Sequence, residues 1–125
     1  MDRRPINQGL FTLDYPITAY ISILHRITGL ILCLAIPLGL WLLQESLASL
    51  SRFEALQQTF HRPSVRGILW ICFLALGFHL IAGIRHLLMD CHIGESKAGG
   101  RLSSYLVLIA WGLLVIVSGV WVWWK

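Results

Sequence analysis

The sequence predicts an all-α integral membrane protein with three transmembrane helices, and three observations carry that prediction. The 125 residues are 57% hydrophobic and only 13% charged, and their mean hydropathy is +0.73. A water-soluble domain of this size needs a polar shell, which ten basic and six acidic side chains cover poorly. The apolar residues instead fall into three continuous stretches, approximately 17–43, 65–89 and 105–124. Each supplies about 20 residues or more at ~1.5 Å rise, enough to cross ~30 Å of hydrocarbon. No soluble domain is left over, and residues 1–125 read as a single membrane domain.

The first span does not read as a signal peptide. Its apolar run is too long, mostly polar residues precede it, and no small-residue cleavage pattern follows. Pro37 lies inside it and is expected to bend the helix without ending it. The connection "QESLASLSRFEALQQTFHRPS" has room for a short surface helix with Leu47, Leu50 and Phe53 on one side. The second connection, "CHIGESKAGGRLSS", is rich in glycine and serine and reads as a loop. No internal repeat is visible, which disfavours a transporter built from two inverted halves.

Charges and tryptophans orient the chain. Three spans put the N-terminus and the second connection on one side, with Arg3, Arg4, Arg26, Arg85, Lys97 and Arg101. Arg52, Arg62, Arg66 and Lys125 fall on the other. Six cations against four favour a cytoplasmic N-terminus. Trp41, Trp70, Trp121, Trp123 and Trp124 all map to the opposite interface, as an aromatic belt, and only Trp111 is mid-span. The net charge of +4 therefore bears on topology. No basic cluster interleaves with aromatics, so nucleic acid is not an expected partner. Cys33, Cys72 and Cys91 show no CxxC or zinc spacing, and the first two read as small packing residues.

Polar residues inside the spans carry the chemistry. In "FHLIAGIRHLLMD" helical spacing places His79, Gly83, His86 and Asp90 on one stripe. His79 lies ~16 Å deeper than Asp90, near the middle of the membrane. Arg85 points to another side, close enough to the interface to snorkel. A mid-membrane imidazole has two readings: a hydrogen bond across to a neighbouring helix, or axial ligation of haem iron. Gly83, one turn on, would leave a notch for a flat macrocycle. His92, rotated ~140° from His79, does not continue the stripe. In "PITAYISILHRITG", Ser22, Arg26 and Gly29 follow an i, i+4, i+7 row with His25 beside them. The hydroxyl and guanidinium suit a quinone carbonyl or a haem propionate. The competing readings are lipid phosphate for His25 and Arg26, and the helix's own backbone for Ser22.

Together "RPINQGL…PITAYISILHRITG" and "HLIAGIRHLLMD", in that order and with three spans, resemble the cytochrome b membrane-anchor subunits of succinate dehydrogenase. The resemblance runs from Arg4 to the C-terminus and includes Arg4, Pro5 and Asn7. It implies a single membrane-anchor domain that forms a heteromeric helix bundle with a second small anchor subunit. The two would share one haem b and dock the iron–sulfur and flavoprotein subunits in the inner membrane of a bacterium, N-terminus cytoplasmic and C-terminus periplasmic. Electrons from succinate would then pass through the iron–sulfur subunit to ubiquinone.

On this resemblance His79 is the axial ligand, and Ser22 and Arg26 are ubiquinone-binding. His25 with Arg26 lies on the propionate side, and Gly83, His86 and Asp90 are supporting. No flavin fingerprint or cluster-type cysteine spacing is present, so succinate oxidation belongs to other chains. Two other readings remain. One is a haem-free quinone-binding anchor of the fumarate-reductase kind. The other is a channel or transporter subunit with a proton-relay histidine, disfavoured because the outer halves of the spans are almost wholly apolar.

Overall fold

The computed structural model describes residues 16–124. Expectations resting on Arg3, Arg4, Pro5, Asn7 and Lys125 lie outside the described residues. Four helices follow one another: α1 Ile17–Ala48, α2 Leu50–Phe60, α3 Pro63–Asp90 and α4 Lys97–Trp123. No strand occurs among the described residues. α1, α3 and α4, with 32, 28 and 27 residues, are each long and apolar enough to cross a membrane. The chain is a multi-pass membrane protein.

Local chemistry sets the helix ends. Pro16 starts α1 with extended backbone, and its carbonyl accepts from the Ala19 amide at 2.8 Å. α1 continues through Pro37 to Ala48. Its last turns carry Gln44, Glu45 and Ser46, polar groups that belong beyond the hydrocarbon. Ser49 then breaks the helix and caps α2, its hydroxyl accepting from the Arg52 amide at 3.3 Å. The Arg52 guanidinium reaches back to Glu45 at 2.9 Å and ties the two helices together. Leu47, Leu50 and Phe53 are all exposed, which gives this corner an apolar outer surface.

The second connection is shorter than its composition implies. Only residues 91–96 are non-helical, and 97–104, expected as loop, form the start of α4. Ser96 caps that start by accepting from the Gly99 amide at 3.0 Å. A side chain at Gly99 would strike the Gly94 carbonyl oxygen at 2.7 Å. Gly99 is thus required for close approach of chain to chain. Gly94 itself takes the left-handed region, φ 78°.

α3 and α4 pair antiparallel along their whole length. Arg85 bonds Ser103 near one end, the Trp111 indole N–H donates to the Leu74 carbonyl at 3.1 Å in the middle, and the Trp70 N–H donates to Ser118 at 3.0 Å near the other. α1 packs against both, with Ile21 fully buried among Phe78, Ala82 and Val107. The core is small, and most large apolar side chains point outward, among them Leu34, Leu80 and Val117. Such a surface suits lipid or another membrane helix, not water.

Two expectations are corrected. Cys33 does not pack inside the chain but is exposed on α1. Arg85 does not snorkel: it is 5% exposed, sunk between α3 and α4, where Ser103 and the Gly100 carbonyl offer it bonds that outward extension would forgo.

Candidate functional site

Where α1 crosses α3, three imidazoles meet. His25 stacks on His79 with ring centres 4.0 Å apart and planes 15° from parallel. His86, two turns along α3, tilts toward His25 at 5.0 Å. The rings border an open groove of about 370 Å³, whose other walls are Leu80, Gly83, Ile84 and Leu87.

The tautomer of His79 follows from its neighbours. Its Nδ1 lies 3.1 Å from the backbone carbonyl oxygen of His25, and a carbonyl can only accept. Nδ1 therefore carries the proton, and Nε2 keeps its lone pair. Thr28 sits 3.3 Å from the same nitrogen, its own hydroxyl proton turned to the carbonyls of Leu24 and His25 at 2.9 Å. Nε2 makes no hydrogen bond with another described residue. Backbone fixation of Nδ1 with a free Nε2 is the arrangement that presents a histidine to a metal.

Two glycines shape the space. A Cβ at Gly29 would lie 3.0 Å from Cε1 of His79, so Gly29 gives the imidazole its room against α1. A Cβ at Gly83 would lie 3.4 Å from Nε2 of His25. The notch at Gly83 thus holds the His25 ring. That Nε2 is buried and without a hydrogen-bond partner among the described residues.

Of the residues singled out in the sequence, the structure brings together His25, His79, Gly83 and His86. Ser22 is half-buried and Arg26 exposed, and neither bonds another described residue. Asp90 is exposed at the end of α3 and does not join the cluster. Thr28 and the packing of Gly29 on His79 were not read from sequence. A threonine four residues after Leu24 gives no sign that its hydroxyl also faces another helix.

Comparison with known proteins gives the family of the chain. The family described as succinate dehydrogenase/fumarate reductase transmembrane subunit matches residues 1–121. The chain belongs to that family. A succinate dehydrogenase cytochrome b556 subunit of Coxiella burnetii is 40% identical to this transmembrane subunit, over 97% of the chain and 98% of the relative. The cytochrome b556 subunit of Paracoccus denitrificans is 30% identical over 92% and 88% of the two chains. The cytochrome b560 subunit of Reclinomonas americana is 30% identical over 84% and 76%. As a member of this family the chain is one subunit of a larger enzyme, and its three-helix frame is the transmembrane part of it.

The donor set fits a haem. His79 offers a fixed imidazole with a free Nε2, Gly29 leaves it room, and the walls of the groove are otherwise aliphatic. The His25 ring occupies the Gly83 notch, which a flat group pressed on Gly83 would need.

Proposed function

We propose that this chain is the haem b-holding membrane anchor of a bacterial succinate dehydrogenase, passing electrons from succinate, by way of an iron–sulfur subunit, to ubiquinone. The observation that carries the reading is the His79 imidazole, fixed at Nδ1 by the His25 carbonyl and free at Nε2 beside an open apolar groove. His79, through Nε2, would hold the haem iron. Haem b supplies a one-electron centre within the membrane.

His86 shares the helix of His79. A second small anchor subunit, seated over the groove, would supply the further side chain that holds the haem and the missing wall. His25 and Arg26 then serve the propionates. Ser22 and Arg26, one turn apart and uncommitted to other described residues, offer a hydroxyl and a guanidinium to a ubiquinone carbonyl. Gly83, His86 and Asp90 support this end of α3. The flavoprotein subunit oxidises succinate, membrane lipid surrounds the anchor, and nucleic acid has no part. In the inner membrane of a bacterium, the cation count supports a cytoplasmic N-terminus and a periplasmic C-terminus.

One observation favours a second reading, a haem-free quinone-binding anchor of the fumarate-reductase kind: the His25 ring already fills the Gly83 notch. Reduced-minus-oxidised optical spectra of the purified complex separate the two. A b-type difference band is expected. His79→Ala should abolish it or convert it from its bis-imidazole form, while His92→Ala, in the exposed turn, should leave it intact. A bis-imidazole band unchanged in the His79 variant sinks the assignment.

A further inference from the structure

A second groove, on the α3–α4 side, has a different chemistry. It measures about 330 Å³, and its walls are aliphatic: Ile81, Ile84, Leu88, Leu106 and Ala110. Its polar lining is Arg85 with Ser103, and at one end it opens beside the 91–96 turn, at Ile93 and Gly94.

Among the described residues Arg85 is a buried cation without an anion. A guanidinium has five N–H donors, and two bonds to described residues are made: Nε to the Ser103 hydroxyl at 3.0 Å and Nη2 to the Gly100 carbonyl at 3.3 Å. Both acceptors are neutral, and both are already engaged. The Ser103 and Ser104 hydroxyls donate to the same Gly100 carbonyl, at 3.1 and 2.8 Å. Among the described residues the ion pairs are Arg52–Glu45 and His92–Glu95, so no acid compensates Arg85. A buried charge left so is costly, and its spare donors ask for an oxyanion. Lys97 and Arg101, exposed on the first turns of α4, add positive charge at the same end, and so do the free amides of that helix start. Glu95 in the turn is held by His92, and Asp90 is exposed and bonds none of these cations.

We propose that this groove binds one anionic phospholipid. Its phosphate accepts from the spare N–H groups of Arg85, and an acyl chain lies along Ile81, Leu106 and Ala110. The aliphatic walls decide for a lipid over a free phosphate, because an inorganic ion would leave them wet and itself poorly solvated. The site lies on the α4 side of α3, with Ile84 common to it and to the histidine groove, and its polar group, Arg85, is not one of the histidines.

The test uses the purified complex, stripped in detergent and re-incubated in bilayers of phosphatidylglycerol diluted into phosphatidylcholine, with retained lipid counted by mass spectrometry. One phosphatidylglycerol per chain is expected, in preference to phosphatidylcholine. Arg85→Gln should lower its retention about tenfold or more, since charge-assisted bonds are lost. Ala110→Phe, which keeps the cation and fills the groove, should lower it too, and decides the matter if the arginine variant does not fold. Equal retention of the two lipids overturns the proposal, as does wild-type retention in the Ala110 variant. Displacement of the lipid by inorganic phosphate alone also overturns it, marking a free-anion site.

Discussion

The Nδ1 atom of His79 and the backbone carbonyl of His25 lie 3.1 Å apart, and this bond, with the Thr28 hydroxyl 3.3 Å from the same nitrogen, joins the two transmembrane helices that carry the imidazoles. Because the acceptor is backbone, no side-chain substitution at residue 25 removes it. His25→Ala should therefore keep the His79 orientation and the position of any b-type absorbance, while vacating the Gly83 notch. Haem content that falls to nothing in His25→Ala would show instead that the stacked ring itself holds His79.

Gly29 is the more sensitive position. Its missing Cβ would sit 3.0 Å from His79 Cε1, and the ring cannot retreat without losing its Nδ1 bond. Gly29→Val should cost ~1–3 kcal/mol of overpacking at this crossing. The readout is haem per complex together with a changed optical band. Gly39, where nothing lies within 4 Å, is the control: Gly39→Val should change neither.

Arg26 and Ser22 separate quinone chemistry from succinate chemistry. Losing one preorganised donor to a developing negative oxygen typically costs ~3–4 kcal/mol, or 10²–10³ in rate. Arg26→Leu should lower succinate:ubiquinone activity by about that factor and leave succinate oxidation with a soluble dye nearly unchanged. Ser22→Ala removes a neutral donor and should act more mildly, chiefly on the quinone KM. If both activities fall together, Arg26 holds the complex together; if neither falls, it is a lipid anchor.

Trp111 makes a stability prediction. Its N–H bonds the Leu74 carbonyl, and its ring meets Phe78 edge-on at 5.6 Å. Trp111→Phe keeps most of the packing and should cost ~0.5–1.5 kcal/mol in a detergent unfolding titration. Trp111→Ala also opens a cavity and should cost ~3–5 kcal/mol.

Topology is checked by reporters. A fusion after the C-terminus should read as periplasmic, and one inserted at 94–100 as cytoplasmic. The reverse pattern would overturn a charge margin of two residues.

What the sequence made legible is what depends on composition and period. The three apolar helices, the surface helix before Pro63 and the common stripe of His79, Gly83 and His86 all follow from hydropathy and a 3.6-residue repeat. What it hid depends on how helices cross. The acceptor for His79 is a carbonyl, which every residue has, so no letter marks it. Gly29 was grouped with Ser22 and Arg26 by spacing, whereas the crossing turns it against His79. The start of α4 was hidden because Gly99 and Gly100 look like loop residues, and only the packing of Gly99 against Gly94 shows the use of the first of them. Arg85 was misplaced for a related reason: a long side chain near an interface has two exits, and the Ser103 and Gly100 oxygens that chose between them lie on another helix.

The helix-to-helix bonds are unevenly shared. α3 and α4 are fastened at both ends and the middle, by Arg85, Trp111 and Trp70. Among the described residues, α1 is fastened to α3 by side-chain bonds at the His79 level alone. In a bilayer, where each span is stable before it meets the others, α1 can part from α3 at the cost of these bonds and its packing, with no helix having to unfold. The seam between His25 and His79 is thus a joint that opens sideways to the membrane with few polar bonds broken.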